Sequence, residues 1–306
     1  MKILYFLESI RVPGLNELML AVTRLGEETA FLVAALIVFW CVDKRKGYYV
    51  MAVGFAGTIL SQFLKLLCRI PRPWVLDPNF TILEQAREAA DGYSFPSGHS
   101  QSAVGTFAAV AVGTKNRWVK GCCIALCLLV PLSRMYLGVH TPADVLVGAG
   151  LALVLVWLLR KPVLDSDGGM KVIIPLLTAM ALGLLLYTTC WNFPADVDQG
   201  NLNSGIKNSY TLLGCMLGIW VVYPVENKYV KFNTEAVWWA QILKVVLGLA
   251  VVLAVKEGLR TPLDWAFGGH MAARAVRYFL VVLTVGLLWP MSFSWFHRLG
   301  KKDVTE

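Results

Sequence analysis

Charged side chains are scarce in this sequence. Asp, Glu, Lys and Arg make up 16% of its 306 residues, where a soluble domain carries about a quarter. With 57% hydrophobic residues and a mean hydropathy of +0.60, that shortage excludes an ordinary water-soluble fold. The seven cysteines form no Cys-x-x-Cys pair and no cluster with histidine, so neither a disulfide framework nor a zinc site is indicated. Most lie inside apolar runs, as Cys122, Cys123 and Cys127 do, and read as small core hydrophobes. A cleavable leader is not expected either, because Glu8, Arg11 and Glu17 interrupt the apolar stretch one would need. No repeat of fixed period is evident.

What the sequence has in abundance is long apolar runs, each close to the length of a bilayer crossing of about 17–25 residues. They lie at approximately 27–42, 48–67, 98–114, 120–137, 143–160, 172–191, 209–225, 236–256 and 275–296. The expected fold is an all-α, polytopic integral membrane bundle of about nine transmembrane helices. Residues 1–25 carry too many charges to cross. Ile10, Leu15, Leu18, Met19 and Val22 could form one apolar face of an interfacial helix there.

The formal charge of +8 does not point to nucleic acid, because most of the cations sit in short connectors between runs. Lys44, Arg45, Lys46, Lys115, Arg117, Lys120, Arg160, Lys161, Lys171, Lys228, Lys231, Arg298, Lys301 and Lys302 all fall on one side, which is therefore expected to be cytoplasmic, with the C-terminus. The opposite side receives the long 68–97 loop, with Asp77, Glu84, Glu88 and Asp91. The compact loops suggest a bacterial cell membrane.

Three short segments, each at the extracytoplasmic end of a run, carry chemistry. They are Lys65 with Arg72-Pro73, then Pro96-Ser97-Gly98-His99, then Ser133-Arg134 with His140 and Asp144. The alternation of spans brings them to one face. Lys65, Arg72 and Arg134 offer three cations to a tetrahedral dianion, and guanidinium groups bind its oxygens in pairs. Ser97 and Gly98 open a helix, where free N–H groups and the dipole favour an anion. His140 precedes Asp144 by four residues, beside a helix start that suits Pro142, and a carboxylate on one ring nitrogen leaves the other free to attack phosphorus. His99 is then the general acid and base. No carboxylate cluster for a metal accompanies these groups, and no cofactor is expected.

The combination resembles the signature of the type 2 phosphatidic acid phosphatase superfamily: K-x6-R-P, P-S-G-H and S-R-x5-H-x3-D, met here at every fixed position. The resemblance implies a phosphate pocket of Lys65, Arg72, Ser97, Gly98, His99 and Arg134. It makes His140 the phosphorylated nucleophile, Asp144 its orienting partner and His99 the acid. A five-span catalytic core over 26–162 and a four-span bundle over 163–306 of unknown role follow. The nine-span topology is similar to the glucose-6-phosphatase and sphingosine-phosphate phosphatase branch.

The expected reaction is metal-independent hydrolysis of a phosphorylated lipid, with polyprenyl diphosphate, phosphatidic acid, phosphatidylglycerol phosphate and sphingoid phosphates as candidates. The alternatives are a lipid flippase or transporter, and a phosphotransferase using the same pocket. The sequence leaves the oligomeric state open. The stretch LEQAREAAD reads as a short surface helix that could cover the pocket. His270, Arg274 and Arg277 read as interfacial anchors, Trp238-Trp239 as an aromatic belt, and Lys244 as a cation inside an apolar run with no partner to name.

Overall fold

The computed structural model describes residues 1–87, 90 and 92–299. Among them the chain is helical, with no strand. Two short helices, α1 (Lys2–Ser9) and α2 (Pro13–Arg24), lead into α3 (Glu28–Ile37), which continues as a π turn over Val38–Val42. Then come α4 (Lys44–Cys68), the single turn α5 (Pro73–Leu76), α6 (Gly98–Gly113), α7 (Arg117–Tyr136) and α8 (Pro142–Arg160). The second half holds α9 (Met170–Cys190), α10 (Gln199–Val225), α11 (Trp238–Gly258), α12 (Arg260–Ala266), α13 (Ala272–Leu283) and α14 (Phe293–Arg298).

Among the described residues seven helices are long and apolar enough to cross a membrane, and the chain is an integral membrane protein. They coincide with seven of the nine expected runs. The run at 27–42 belongs instead to a helix pair, Pro13–Arg24 and Glu28–Val42, bent by 56°. The run at 98–114 folds as a helix of 16 residues, about 24 Å long at 1.5 Å per residue. Glu88 and Asp91 of the acidic loop, and Lys301 and Lys302 of the basic tail, lie outside the described residues.

Helix ends follow local chemistry. Asp43 caps α4 by accepting from the Lys46 amide at 2.9 Å. At the start of α8, Thr141 and Asp144 form a capping box beside Pro142. Within the second half, α10 and α13 pack closely where side chains are small: a Cβ on Gly214 or Gly218 would collide with α13. Gly183, which invites the same reading in sequence, faces open space.

Lys244 on α11 does have partners. It is 1% exposed, donates to the Trp40 carbonyl at 2.9 Å and the Thr234 carbonyl at 3.1 Å, and lies over the Phe293 ring. Trp40 sits in the π turn of the first half, where a wider turn frees carbonyls from the helical ladder. The ammonium thus ties the second half of the chain to the first. Lys244→Met takes the ammonium from the buried Trp40 carbonyl, while the Thr234 carbonyl keeps the Gln241 side-chain amide at 2.8 Å. The substitution is expected to lower stability by about 1–3 kcal/mol, read as an earlier thermal transition in detergent.

Candidate active site

The ends of α4, α6, α7, α8 and α10 meet around a cavity of about 610 Å³. Six residues singled out in the sequence line it: Lys65, Arg72, Gly98, His99, Arg134 and His140. Asp144 and Ser97 stand just behind the wall, both fully buried. Residues from 65 to 144 are thus gathered at one end of the bundle.

His140 follows a sharp turn at the end of α7. Gly138 there has φ of +83°, and a Cβ would meet Arg11 and Phe80 within 3 Å, so glycine answers both a backbone and a packing demand. The buried imidazole receives a hydrogen bond from Arg72 Nη1 at Nε2, 2.9 Å away. With Nε2 accepting, the ring proton belongs on Nδ1. Burial, reinforced by Arg72, Arg134, Lys65 and His99, pushes the His140 pKa well below the usual imidazole range. The ring is therefore neutral, with a lone pair on Nε2.

The expected contact between His140 and Asp144 is not direct. Nδ1 lies 3.6 Å from Asp144 Oδ2, too far for a hydrogen bond. Between them sits Ser94, whose Oγ donates to Asp144 Oδ2 at 2.6 Å and lies 3.4 Å from Nδ1. Asp144 Oδ2 also accepts from the Thr141 amide at 2.7 Å. Its position is set by the capping box that starts α8, so one carboxylate serves helix and site together. Ser94 was not singled out in the sequence. Its adjacency to Pro96-Ser97-Gly98-His99 is the only local signal, and a lone serine has many structural uses.

The cations are held by backbone that precedes α6. Gly92 O accepts from Arg72 Nε at 2.9 Å, and Tyr93 O accepts from Lys65 Nζ at 2.6 Å. Arg72 Nη1 also donates to Val139 O at 2.9 Å. Arg134 Nη1 donates to Thr23 Oγ1 on α2 at 2.8 Å, which makes the N-terminal helices part of the scaffold. His99 stands on the cavity wall with a buried Nε2 that has no hydrogen-bond partner among the described residues. Gly26, in the bend before α3, lies so close to the His99 backbone that a Cβ would approach its carbonyl to 2.9 Å.

Ser97 and Gly98 divide their work. The Ser97 hydroxyl accepts from Ser100, its amide donates to the Asp144 carbonyl at 2.9 Å, and the residue is absent from the cavity wall. Its side chain caps α6, and its amide joins α6 to α8. Gly98 does face the cavity, with nothing within 4 Å of where a Cβ would stand. A ligand can reach its backbone closely.

The surface helix expected over LEQAREAAD is, in its described part, a single 3-10 turn at Glu84–Ala86. Leu83 N bonds to Leu137 O, so this turn packs on the end of α7. Glu88, Ala89 and Asp91 lie outside the described residues; of the loop's described residues, Gly92 and Tyr93 line the cavity. Arg274, read in sequence as an interfacial anchor, also lines it. Among the described residues no group of three His, Cys, Asp or Glu side chains could hold a metal ion.

The chain as a whole is similar to known proteins. Residues 45–165 match the PAP2 superfamily, and residues 210–302 match the transmembrane extension of PAP2 superfamily phosphatases. The chain is 30% identical over 166 residues to phosphatidylglycerophosphatase B of Bacillus subtilis (strain 168), covering 49% of this chain and 76% of that protein. It is 26% identical over 252 residues to sphingosine-1-phosphate phosphatase 1 of Rattus norvegicus, covering 77% of this chain and 57% of that one. Similarity to an undecaprenyl-diphosphatase of Bacillus subtilis is 29% over 127 residues, or 41% of this chain and 63% of that protein. No solved structure matches significantly. The cationic cavity, its paired histidines and these matches together make the chain a member of the PAP2 superfamily, an integral membrane phosphoric ester hydrolase.

Proposed function

We propose that this enzyme hydrolyses the phosphate of a lipid monophosphate or diphosphate through a phosphohistidine, without a metal. The observation that carries the proposal is the neutral, buried His140, with Nε2 directed at the cation that would hold the phosphate. Nε2 attacks the terminal phosphorus as its P–O bond to the leaving group breaks, an ester bond in a monophosphate and an anhydride bond in a diphosphate. His99 gives its proton to the departing alkoxide or lipid phosphate, then takes one from the water that cleaves the P–N bond. Lys65, Arg72, Arg134 and the amide at Gly98 neutralise the phosphoryl oxygens, and Ser97 holds the α6 entrance in place.

Three further features belong to the proposal. The chain crosses nine times, counting the bent pair and the 16-residue α6. The cavity opens on the extracytoplasmic side of a bacterial cell membrane, and the C-terminus is cytoplasmic, as the basic connectors favour. The catalytic core occupies 26–162 behind an interfacial 1–25 segment. Phosphatidylglycerol phosphate, polyprenyl diphosphate, phosphatidic acid and sphingoid phosphates are the substrates to rank. Phosphate release by purified protein in detergent with EDTA tests the chemistry: release that needs added divalent metal overturns metal independence.

Ser94 is proposed as a positioning residue that passes the orienting influence of Asp144 to His140. Ser94→Ala is expected to lower kcat about 10–100-fold, the usual range for groups that orient a reactive imidazole, with little change in KM. A change confined to KM, or none in either constant, would remove Ser94 from the relay.

A further inference from the structure

The wall of the cavity is polar well beyond the phosphate site. Among the described residues Leu66 is its one aliphatic side chain, whereas a pocket built for an apolar ligand is lined mainly by hydrophobic groups. Two side chains on that wall, Ser61 on α4 and Gln101 on α6, are 2% and 1% exposed. Ser61 Oγ and Gln101 Nε2 have no hydrogen-bond partner among the described residues. Buried polar atoms are paired in about nine cases of ten, so two orphans on one wall call for something to pair with. The Gln101 amide rests across Gly57, where a Cβ would collide with it, so α4 keeps space for this amide.

The C-terminal half completes the compartment. Asn201, Ser204 and Asn208 line the same cavity, spaced i, i+3 and i+7 on one face of α10. That helix has a mean hydropathy of 1.2, the lowest of the seven spanning helices. Polar groups inside a membrane span face a cavity and mark a ligand path far more often than they face lipid. The start of α10 thus does more than cross the membrane, since it supplies one wall of the pocket.

We infer that this compartment recognises the hydroxyl groups of the substrate's leaving alcohol, which makes the preferred substrate a hydroxylated phosphomonoester. The inference rests on the phosphatase reading above. Ser61, Gln101 and the α10 stripe present amide and hydroxyl groups, which donate and accept, as an alcohol does. Among the described residues an acyl or isoprenoid tail would meet one aliphatic side chain in this cavity, Leu66. The same chemistry is offered by a hydroxylated lipid head group and by a free polyol or sugar phosphate.

Two matched pairs distinguish these sources. Dioctanoyl phosphatidylglycerol phosphate against dioctanoyl phosphatidic acid reads the lipid-borne form, and glucose 6-phosphate against hexyl phosphate reads the free form. The wild type is expected to favour the hydroxylated member of at least one pair by about tenfold or more in kcat/KM, the discrimination that a site built to hydrogen-bond a hydroxyl readily reaches. Ser61→Ala and Gln101→Leu remove no hydrogen bond among the described residues, and an unchanged thermal transition in detergent checks the fold of each. Each is expected to reduce that ratio at least threefold. Equal rates within both pairs, or ratios unchanged in both variants, would mean that water alone fills the compartment and would overturn the inference while leaving the phosphatase reading intact. If the wild type releases no phosphate from any ester, the phosphatase reading fails, and equilibrium dialysis still decides the inference. In His140→Ala, glucose 6-phosphate should then bind more tightly than hexyl phosphate, and the difference should shrink with Ser61→Ala; equal binding overturns it.

Discussion

His140→Ala is expected to lower phosphate release by about a thousandfold or more, the scale on which loss of a covalent nucleophile is felt. The reason is geometric. No other described nitrogen combines a lone pair, burial beside Arg72 and an orienting relay: Nε2 accepts from Arg72 at 2.9 Å, and Nδ1 faces Ser94 and Asp144. A neutral side chain also acts over a particular pH range. Burial and four neighbouring cationic or imidazole groups depress the His140 pKa, so acidification to pH 5.5 should leave the free enzyme's imidazole unprotonated. After correction for substrate ionisation, kcat/KM should not fall along an ordinary histidine titration near pH 6.5. Quenching a rapid-mix reaction in alkaline detergent, where a P–N bond survives, should trap phosphate on the wild-type chain but not on the variant. Substantial release by His140→Ala would assign the attack to water or to another group.

Arg72→Lys is the second large effect, at about 10²–10³-fold in kcat/KM, the cost of removing one preorganised donor from a developing oxyanion. The substitution keeps the charge and loses the fork. Arg72 uses Nε for Gly92 O and Nη1 for Val139 O and His140 Nε2. It therefore fastens the segment before α6 to the turn before α8. An ammonium on a flexible stem cannot hold these positions at once. The matching measurement is steady-state kinetics with inorganic phosphate as a competitive inhibitor. The inhibition constant should rise alongside the loss of kcat/KM. Weaker phosphate binding with unchanged kcat would reduce Arg72 to a simple anion anchor.

The reach of sequence reasoning here has a physical cause. Apolar run length reports a crossing because the bilayer sets one scale for every span, and seven of the runs are helices of that kind. Lys65, Arg72, Gly98, His99, Arg134 and His140 were visible because phosphate chemistry needs rare residue types, and rare types stand out in an apolar chain. Helix alternation alone then brings such residues to one end.

Features that depend on contact between distant segments were out of reach. Ser94 acquires its place only when the residues before α6 fold against the start of α8, inserting a hydroxyl where sequence spacing suggested a direct His140–Asp144 bond. Lys244 looked unpartnered because its partners are backbone carbonyls, one of them 204 residues away, and a carbonyl carries no sequence signature. Arg274 read as an anchor, and Asn201, Ser204 and Asn208 fell before the run expected at 209–225, until packing turned them toward the cavity. Composition and motif spacing determined the membrane, the phosphate and the histidines, because those depend on residue type. Which hydroxyl lies between His140 and Asp144 and which side chains line the rest of the cavity were decided by helix packing, because those depend on what lies within 4 Å.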